Sequence, residues 1–255
     1  MRNKIINVGL IGKTNAGKST FINSIVGEKI SIENRKINTT LEAIIGILNI
    51  SNTQIVFYDT PGFTFFKNNN IIQKKQKTEL WEVINNSDLI LFIIDIDKYN
   101  HHHIVNDIKK IKEAKKSIIV VLNKVDLIKK DIILLYIKKL NETNLIEDFF
   151  NISAKYNKGL DSIKKYLVRK SNYGKWKFEN DEISNKDDIF ISNECTRNAL
   201  LKFLHKEIPY NITIKNKLFK FINKKNIKIK QLIEINKLRY KSIILGKKGE
   251  TIKRI

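Results

Sequence analysis

The 255-residue sequence has one cysteine, two prolines, no proline-rich tract and no long apolar run. The single cysteine, Cys195, excludes an internal disulfide and is typical of a protein in a reducing compartment. The longest apolar run, Leu89–Ile94, is far shorter than the ~20 residues that a membrane-spanning helix needs. A signal peptide has no room before the first predicted strand, which begins near Lys4. The chain is therefore expected to be cytoplasmic.

Acidic residues are scarce relative to basic ones. The chain has 48 Lys and Arg against 26 Asp and Glu, a formal net charge of +22. Residues 171–255 hold 20 basic and 9 acidic residues, so the excess is denser there than in residues 1–170. A genome rich in A and T would explain part of this basicity, since Ile, Lys and Asn are abundant throughout. The uneven distribution nevertheless favours RNA or DNA as a partner of the C-terminal third.

Short apolar runs alternate with helical patterns over residues 1–170. This alternation predicts an α/β domain with a mostly parallel sheet. The predicted strands are Lys4–Gly9, Ala43–Leu48, Ile55–Asp59, Leu89–Asp95, Ile118–Asn123 and Phe149–Ser153. The predicted helices are Lys18–Val26, Thr78–Asn85, Ile104–Glu113, Ile132–Asn141 and Leu160–Lys170. A short connection between the second and third strands indicates a hairpin, and therefore one antiparallel edge strand.

The pattern changes after residue 170. Polar and charged residues predict a linker over residues 171–188. A second unit follows over residues 189–255, with a helix and two strands predicted at Ile189–His205, Tyr210–Phe221 and Ile227–Ile235. Near its end stands the loop Gly246-Lys247-Lys248-Gly249. Glycines on both sides of two lysines let a nucleic-acid backbone approach closely while the lysines meet phosphates, although a plain turn is the alternative.

A phosphate-binding loop is predicted directly after the first strand. Residues 12–19 read G-K-T-N-A-G-K-S and fit the pattern G-x-x-x-x-G-K-[ST]. Its backbone N–H groups and the start of the next helix favour an anion. Lys18 is expected to reach the β- and γ-phosphates, and Ser19 to bind Mg²⁺. The predicted nucleotide-binding residues here are Gly12, Lys13, Thr14, Asn15, Ala16, Gly17, Lys18 and Ser19.

Two further segments are predicted to sense the γ-phosphate. The segment Asp59-Thr60-Pro61-Gly62 follows a strand and fits D-x-x-G, in which the carboxylate holds Mg²⁺ and the glycine N–H meets the phosphate. The segment Asn38-Thr39-Thr40 lies between the first helix and the second strand. A threonine there would complete the Mg²⁺ shell. Both threonines are candidates, with Thr40 preferred, and two β-branched residues that start a strand are the alternative.

Two loops at later strand ends are predicted to select guanine. The segment Asn123-Lys124-Val125-Asp126 fits N-K-x-D. Asp126 is placed to accept from the N1–H and the 2-amino group of guanine, a pair of donors that adenine lacks. Asn123 is expected to brace the loop, and the stem of Lys124 to lie over the ring. The segment Ser153-Ala154-Lys155 fits S-A-K, whose backbone N–H groups are candidates to bind guanine O6.

Three consecutive histidines, His101-His102-His103, follow the strand Leu89–Asp95. They are predicted to lie in a polar loop. Cysteines and carboxylates at metal-ligand spacing are missing around them, so a metal site is not expected.

Taken together, these motifs resemble the Era family of GTPases. The resemblance rests on the loops above, on K-I-N-T-T at residues 36–40, and on D-T-P-G-F at residues 59–63. It extends to residues 193–210, which are similar to the helix and E-[IL]-P-Y turn that open the family's KH domain. Residues 243–255 are similar to its G-x-x-G loop and the helix that follows.

The resemblance implies an organisation and a function. Residues 1–170 would form the GTP-binding domain, and residues 189–255 a small α+β KH-like domain of type II. The chain would hydrolyse GTP to GDP with Mg²⁺, bind 16S rRNA and assist assembly of the small ribosomal subunit. RNA contacts would fall on Gly246, Lys247, Lys248 and Gly249. A peripheral contact with the inner membrane surface and a monomeric state are further expectations.

Hydrolysis is assigned to Lys18, Thr40 and Gly62, because phosphoryl transfer needs positioning and charge neutralisation. Phe63 stands where Ras-like enzymes keep a water-orienting glutamine, and it is counted with the nucleotide-binding residues. A phenyl ring cannot orient water by hydrogen bonding, so slow turnover is expected. No residue is assigned as a catalytic base.

The sequence departs from the family pattern at two places. Leu41 stands where the family generally has arginine after T-T. The sequence also ends at Ile255, inside the helix after G-x-x-G, so the KH-like domain is expected to lack its last helix and strand. A natural shortening and a fragment both fit. Two alternatives stay open: a nucleotide-gated RNA-binding module with negligible hydrolysis, and a related GTPase that acts in tRNA modification.

Overall fold

The computed structural model describes residues 2–28, 30, 44–60, 71–204, 212–223 and 226–254, with the backbone alone for residues 71–76, 201 and 202. The chain divides into two compact units, residues 1–185 and 186–255. In the first unit the strands are β1 Lys4–Ile11, β2 Ile44–Ile50, β3 Thr53–Asp59, β4 Leu89–Asp95, β5 Ser117–Asn123, β6 Asp148–Asn151 and β7 Asn172–Tyr173. The helices are α1 Lys18–Val26, α2 Ile71–Asn86, α3 His101–Lys112, α4 Lys130–Asn141 and α5 Leu160–Lys170.

These strands form one sheet in the order β2-β3-β1-β4-β5-β6. The strands β3, β1, β4, β5 and β6 are parallel, and β2 pairs antiparallel with β3, which confirms the predicted α/β sheet and its antiparallel edge. Parallel order brings the carboxyl ends of β1, β3, β4, β5 and β6 to one edge. The loops with nucleotide motifs therefore lie together, as such sheets favour.

The core explains why the central strands β4 and β5 are apolar at nearly every position. In β5, Ile119 and Val121 pack in one buried cluster with residues of α1 and α5. The alternate residues Ile118, Val120 and Leu122 pack in a second cluster with residues of α3 and α4. Successive side chains of a strand point to opposite faces. A parallel strand covered on both faces therefore needs a continuous apolar run.

The helix α3 corrects the prediction for the three histidines. It begins at His101 rather than Ile104, so His101, His102 and His103 form its first turn instead of a polar loop. The side chain of Asn100 caps this turn, accepting a hydrogen bond from His103 N at 3.1 Å. Asparagine is a favoured N-cap residue, and this signal places the helix start three residues earlier than the apolar pattern does. Among the described residues, no group of three or more His, Cys, Asp and Glu is placed to hold a metal ion.

Most of the predicted linker is part of the first unit. Strand β7 pairs antiparallel with β1, and Trp176 Nε1 donates to Lys4 O at 3.0 Å. Buried Gln54 bonds Phe178 O at 3.0 Å and Lys177 N at 2.9 Å. Further on, Ile47 N of the edge strand β2 donates to Ile183 O at 2.9 Å. The linker prediction for residues 172–185 is therefore wrong, because this polar segment satisfies buried and edge hydrogen-bonding groups that an apolar pattern does not reveal.

The second unit is a small α+β fold. It contains α6 Asp188–Phe203, β8 Ile212–Asn223, β9 Asn226–Ile235, α7 Arg239–Leu245 and α8 Glu250–Arg254. Both predicted strands are present, and they form an antiparallel hairpin. Among the unit's described residues, six buried side chains form the core, those of Leu200, Leu204, Ile212, Ile214, Tyr240 and Ile244. His205 and the E-I-P-Y segment at residues 207–210 lie outside the described residues.

A hydrogen-bonded cluster joins the start of β6 to α5. Glu147 Oε1 accepts from Tyr166 OH at 2.9 Å and from Lys170 Nζ at 2.5 Å. Hydrogen bonds from Lys170 and then Ser117 lower the pKa of Glu147 to about 2. A lowered folded-state pKa stabilises the fold above the ordinary pKa of glutamate, and this contribution is lost as the pH falls toward 2.

We expect Glu147→Gln to lower the melting temperature at pH 7 by about 2–4 °C, since a half-exposed charged pair contributes ~1 kcal/mol. The difference from wild type should shrink as the pH falls from 5 to about 2. Thermal unfolding across this pH range measures it, with Glu142→Gln at the exposed end of α4 as control. A constant difference at every pH would contradict the ionic origin.

Candidate nucleotide-binding site

The loop between β1 and α1 has a backbone that two glycines make possible. Gly17 has φ +94°, and a Cβ there would lie 2.2 Å from Asn123 Nδ2. A Cβ on Gly12 would lie 2.3 Å from Ile93 O. Asn15 also has positive φ, at 66°. The loop therefore curls tightly against β4 and β5, with the positive end of α1 behind it.

Lys18 and Ser19 lie at the start of α1. Lys18 is 6% exposed, and its Nζ donates to Gly12 O at 2.8 Å and Lys13 O at 3.1 Å. These bonds hold the ammonium across the mouth of the loop, where phosphates would meet it. Ser19 Oγ donates to Asp59 Oδ2 at 3.4 Å, and Asp59 is fully buried. A hydroxyl and a carboxylate at this separation are oxygen donors of the kind that Mg²⁺ binds.

The segment after β3 begins in a fixed position. Thr60 Oγ1 donates to Leu10 O at 2.7 Å, which ties the start of the D-x-x-G segment to β1. Five residues assigned from the sequence lie outside the described residues: Thr39, Thr40, Pro61, Gly62 and Phe63. Their roles stay predictions.

Asn123 joins three loops. Its Nδ2 donates to Ala16 O at 2.9 Å, and its Oδ1 accepts from Ala154 N at 3.1 Å and Lys124 N at 2.9 Å. The side chain is 2% exposed. Its bonds therefore fix the phosphate loop, the N-K-x-D segment and the S-A-K segment relative to one another. The sequence predicts bracing by Asn123, and the structure supplies its partners.

Lys124 is held across the base-binding side. Its backbone has φ 66°, and its Nζ donates to Asp95 Oδ2 at 2.6 Å and to Asn15 O at 3.1 Å. Asp126 is exposed in the short 3₁₀ turn Val125–Leu127 that follows. Asp95 is a site residue that sequence reasoning missed. Its one signal in the sequence is a carboxylate at the end of the apolar strand β4, which assigns no role by itself.

The S-A-K segment packs against α1. Ser153 is buried and exchanges two backbone hydrogen bonds with Lys158, at 3.1 and 3.0 Å. Ser24 Oγ of α1 donates to Ala154 O at 2.8 Å. Because Ala154 N already donates to Asn123 Oδ1, the N–H of Lys155 is the candidate donor of this segment for guanine O6.

The G-x-x-G loop of the second unit turns between α7 and α8. Gly246 has φ +70°, and a Cβ there would lie 2.1 Å from Thr251 Oγ1. Lys248 and Gly249 also have positive φ, at 52° and 79°. The side chains of Lys247 and Lys248 are exposed. The loop therefore presents two cations on a tightly turned backbone.

Known proteins resemble this chain over most of its length. Residues 7–124 match a family model described as 50S ribosome-binding GTPase. A GTPase Era of Rickettsia conorii is 35% identical over 254 residues, which is 99% of this chain and 74% of the relative. A GTPase Era of Rickettsia typhi is 37% identical over 257 residues, covering 99% of this chain and 84% of the relative.

Two solved structures are similar in fold as well as sequence. Era in complex with MgGDPNP and nucleotides 1506–1542 of 16S ribosomal RNA has a TM-score of 0.83 and 29% identity. Aquifex aeolicus Era bound to GDP·AlF4⁻ has a TM-score of 0.81 and 28% identity. Each match covers 99% of this chain and 85% of the solved chain.

Proposed function

The chain belongs to the Era family of GTPases, and on this premise we propose that it is a GTP-hydrolysing switch that binds 16S rRNA and assists assembly of the small ribosomal subunit. The observation that carries the proposal is the extent of the match. The Era structure with bound 16S rRNA covers 99% of this chain, so the match includes the second unit as well as the nucleotide site.

The site residues divide into two roles in this proposal. Lys18 and the loop N–H groups neutralise charge that develops on the β–γ bridge of GTP. Ser19, Asp59 and Thr40 hold Mg²⁺, which offsets charge on the β- and γ-phosphates when it is bound. The N–H of Gly62 meets the γ-phosphate. Phe63 gives the attacking water no hydrogen bond, so intrinsic turnover is slow.

The residues around the base select guanine over other bases. Exposed Asp126 accepts from the two donors on the base edge, and the N–H of Lys155 donates to O6. The stem of Lys124 lies over the ring, since its Nζ is anchored on Asp95 and Asn15. Asn123 keeps these residues in register with the phosphate loop.

RNA binding by the second unit has a direct test. Lys247→Glu/Lys248→Glu is expected to weaken binding of the full chain to 16S rRNA by at least about 10-fold and to reduce the salt dependence of binding, because two phosphate contacts are lost. Filter binding at several salt concentrations, with GTP or GDP bound, measures both. Lysines are better targets than Gly246, since a side chain there would collide with Thr251.

A matched control separates recognition from net charge. Lys109→Glu/Lys112→Glu makes the same charge change on α3 of the first unit, where both lysines are exposed. It should leave RNA affinity nearly unchanged. Equal losses of RNA affinity in the two variants would show that binding depends on net charge alone. That result would contradict the assignment to the G-x-x-G loop.

We also propose a peripheral contact with an anionic membrane surface and a monomeric chain. The net charge of +22 supports both, because it attracts anionic lipid and keeps copies apart. In the part of the chain that the structure describes, no helix is both long and apolar enough to cross a bilayer. A solution mass near 29.8 kDa would test the monomer.

A further inference from the structure

The hairpin β8–β9 of the second unit combines dense positive charge with exposed apolar side chains. Residues 212–235 contain seven lysines and a single acidic residue, Glu234. Five of the lysines fall within the described residues and are exposed, namely Lys215, Lys217, Lys220, Lys228 and Lys230. Within the described part of the hairpin, Lys215 is the one lysine that forms an ion pair, from its Nζ to Glu234 Oε1 at 2.8 Å.

The two ends of the hairpin differ in burial. At its base, Ile212 and Ile214 are 6% and 7% exposed in the core of the unit, and Ile233 and Ile235 pack against that core. The half nearer the turn is not covered in this way. Five large apolar side chains there are 38–63% exposed, those of Leu218, Phe221, Ile222, Ile227 and Ile229.

The strand register shows that the face of the hairpin that packs in the core at its base continues into the outer half, where it is exposed. Phe219 pairs with Ile229 and Phe221 with Ile227, in the same antiparallel ladder that pairs Ile214 with Ile233. On β9, residues 227, 229, 231, 233 and 235 share one face, since side chains alternate along a strand. Lys228 and Lys230 lie on the opposite face. In the outer half, Phe219, Phe221, Ile227 and Ile229 therefore share the apolar face, and Lys220, Lys228 and Lys230 lie with Leu218 on the opposite, mainly basic face. Ile222 is the most exposed of the apolar side chains near the turn.

We propose that the outer half of this hairpin, residues 217–223 and 226–230, is the surface that meets the membrane, with its apolar side chains in the headgroup region of an anionic bilayer. The inference rests on the proposed peripheral contact and names its site and lipid class. An apolar face backed by an opposite basic face is the composition of amphipathic elements that lie in a bilayer interface. Anionic headgroups supply the complementary charge.

A bilayer suits these side chains better than RNA does. RNA bases bind proteins by stacking on flat aromatic or guanidinium faces. Of the five exposed apolar side chains, only Phe221 is aromatic, and the other four are aliphatic. The half-exposed ring of Phe219 packs edge-on against that of Phe221, with ring centroids 5.5 Å apart. Leucine and isoleucine offer a base no stacking face, but a lipid interface accepts them. The basic face alone would suit RNA equally well. The aliphatic side chains therefore favour a bilayer over RNA as the partner.

Sedimentation of the full chain with vesicles tests the inference. Wild type is expected to bind phosphatidylcholine vesicles that contain phosphatidylglycerol and not vesicles of phosphatidylcholine alone. Phe221→Ser/Ile222→Ser should weaken this binding by about 10-fold or more, because two apolar side chains no longer leave water. The control Leu134→Ser/Leu135→Ser removes two side chains that are equally exposed on α4, 63% and 49%, and should bind like wild type.

A second variant locates the hairpin directly. Phe221→Trp is expected to add fluorescence that brominated lipid chains quench, above the signal of Trp81 and Trp176. Quenching does not depend on a change in affinity. It therefore tests the inference even if the serine variant fails to fold.

The outcomes are separable. Failure of wild type to bind anionic vesicles overturns the peripheral contact itself. Binding by wild type with equal binding by Phe221→Ser/Ile222→Ser, and no quenching of the tryptophan variant, overturns the hairpin assignment alone. Loss of 16S rRNA binding by the serine variant with unchanged vesicle binding makes RNA the occupant and also overturns it.

Discussion

Replacing Asn123 by alanine is expected to weaken the binding of GTP and GDP by about 100-fold. The change removes the donor to Ala16 O and the acceptor of Ala154 N, both buried. A buried polar group left without its partner costs ~1–3 kcal/mol, and ~1.4 kcal/mol is tenfold in affinity. The phosphate loop and the base-binding loops would then be positioned independently, so one nucleotide could no longer meet both at full strength.

Equilibrium titration with fluorescent GDP measures the loss, and thermal unfolding separates it from a loss of fold. Asn141→Ala, at the exposed end of α4, makes the same chemical change and should bind nucleotide like wild type. If Asn123→Ala binds within about threefold of wild type, the bonds of Asn123 do not organise the site.

Replacing Asp126 by alanine is expected to lower GTP affinity by about 10²–10⁴-fold and to remove selection for the 2-amino group of guanine. Hydrogen bonds to a charged acceptor contribute ~1.5–3 kcal/mol each, and guanine offers Asp126 two donors. Inosine keeps N1–H and O6 but lacks the 2-amino group. Wild type should therefore prefer GTP to ITP, and ITP to ATP. The variant should bind GTP and ITP similarly and keep only the preference over ATP that the N–H of Lys155 gives at O6.

Competition of GTP, ITP and ATP against labelled GDP tests this order. Asp126 is exposed, so the change should leave the melting temperature intact. Asp131→Ala removes another exposed carboxylate, in the first turn of α4, and should keep the wild-type order. A persistent preference of Asp126→Ala for GTP over ITP would assign base selection elsewhere.

Much of the first unit is predictable because its signals are local. The helices Lys18–Val26 and Leu160–Lys170 have the predicted bounds, since glycines stand directly before both and apolar residues recur along them. The helix α2 begins at Ile71, seven residues before the predicted start at Thr78, because a lysine- and glutamine-rich stretch carries little periodicity. The segment of residues 172–185 has no apolar pattern at all. Its place is set by hydrogen bonds to Gln54, Lys4 and the edge strand β2, which are distant in sequence.

The site residues also divide into those that a local sequence pattern predicts and those that depend on contacts between distant residues. Gly12, Gly17 and Lys18 follow from one spacing, and the structure gives the contacts that require the two glycines. Asp95 could not be assigned from the sequence, because its role depends on Lys124 reaching back from the neighbouring strand. A strand-end carboxylate acquires meaning only when its neighbours in the sheet are known. The roles of Thr40, Gly62 and Phe63 stay predictions from the sequence.

Release of inorganic phosphate from GTP by the purified full chain tests the central claim most directly. The loops joined by Asn123 predict slow, Mg²⁺-dependent release from GTP, lost on chelation of Mg²⁺, and no release from ATP. Tight GTP binding with release no faster than in the absence of protein would contradict the claim and leave a nucleotide-gated RNA-binding module in its place.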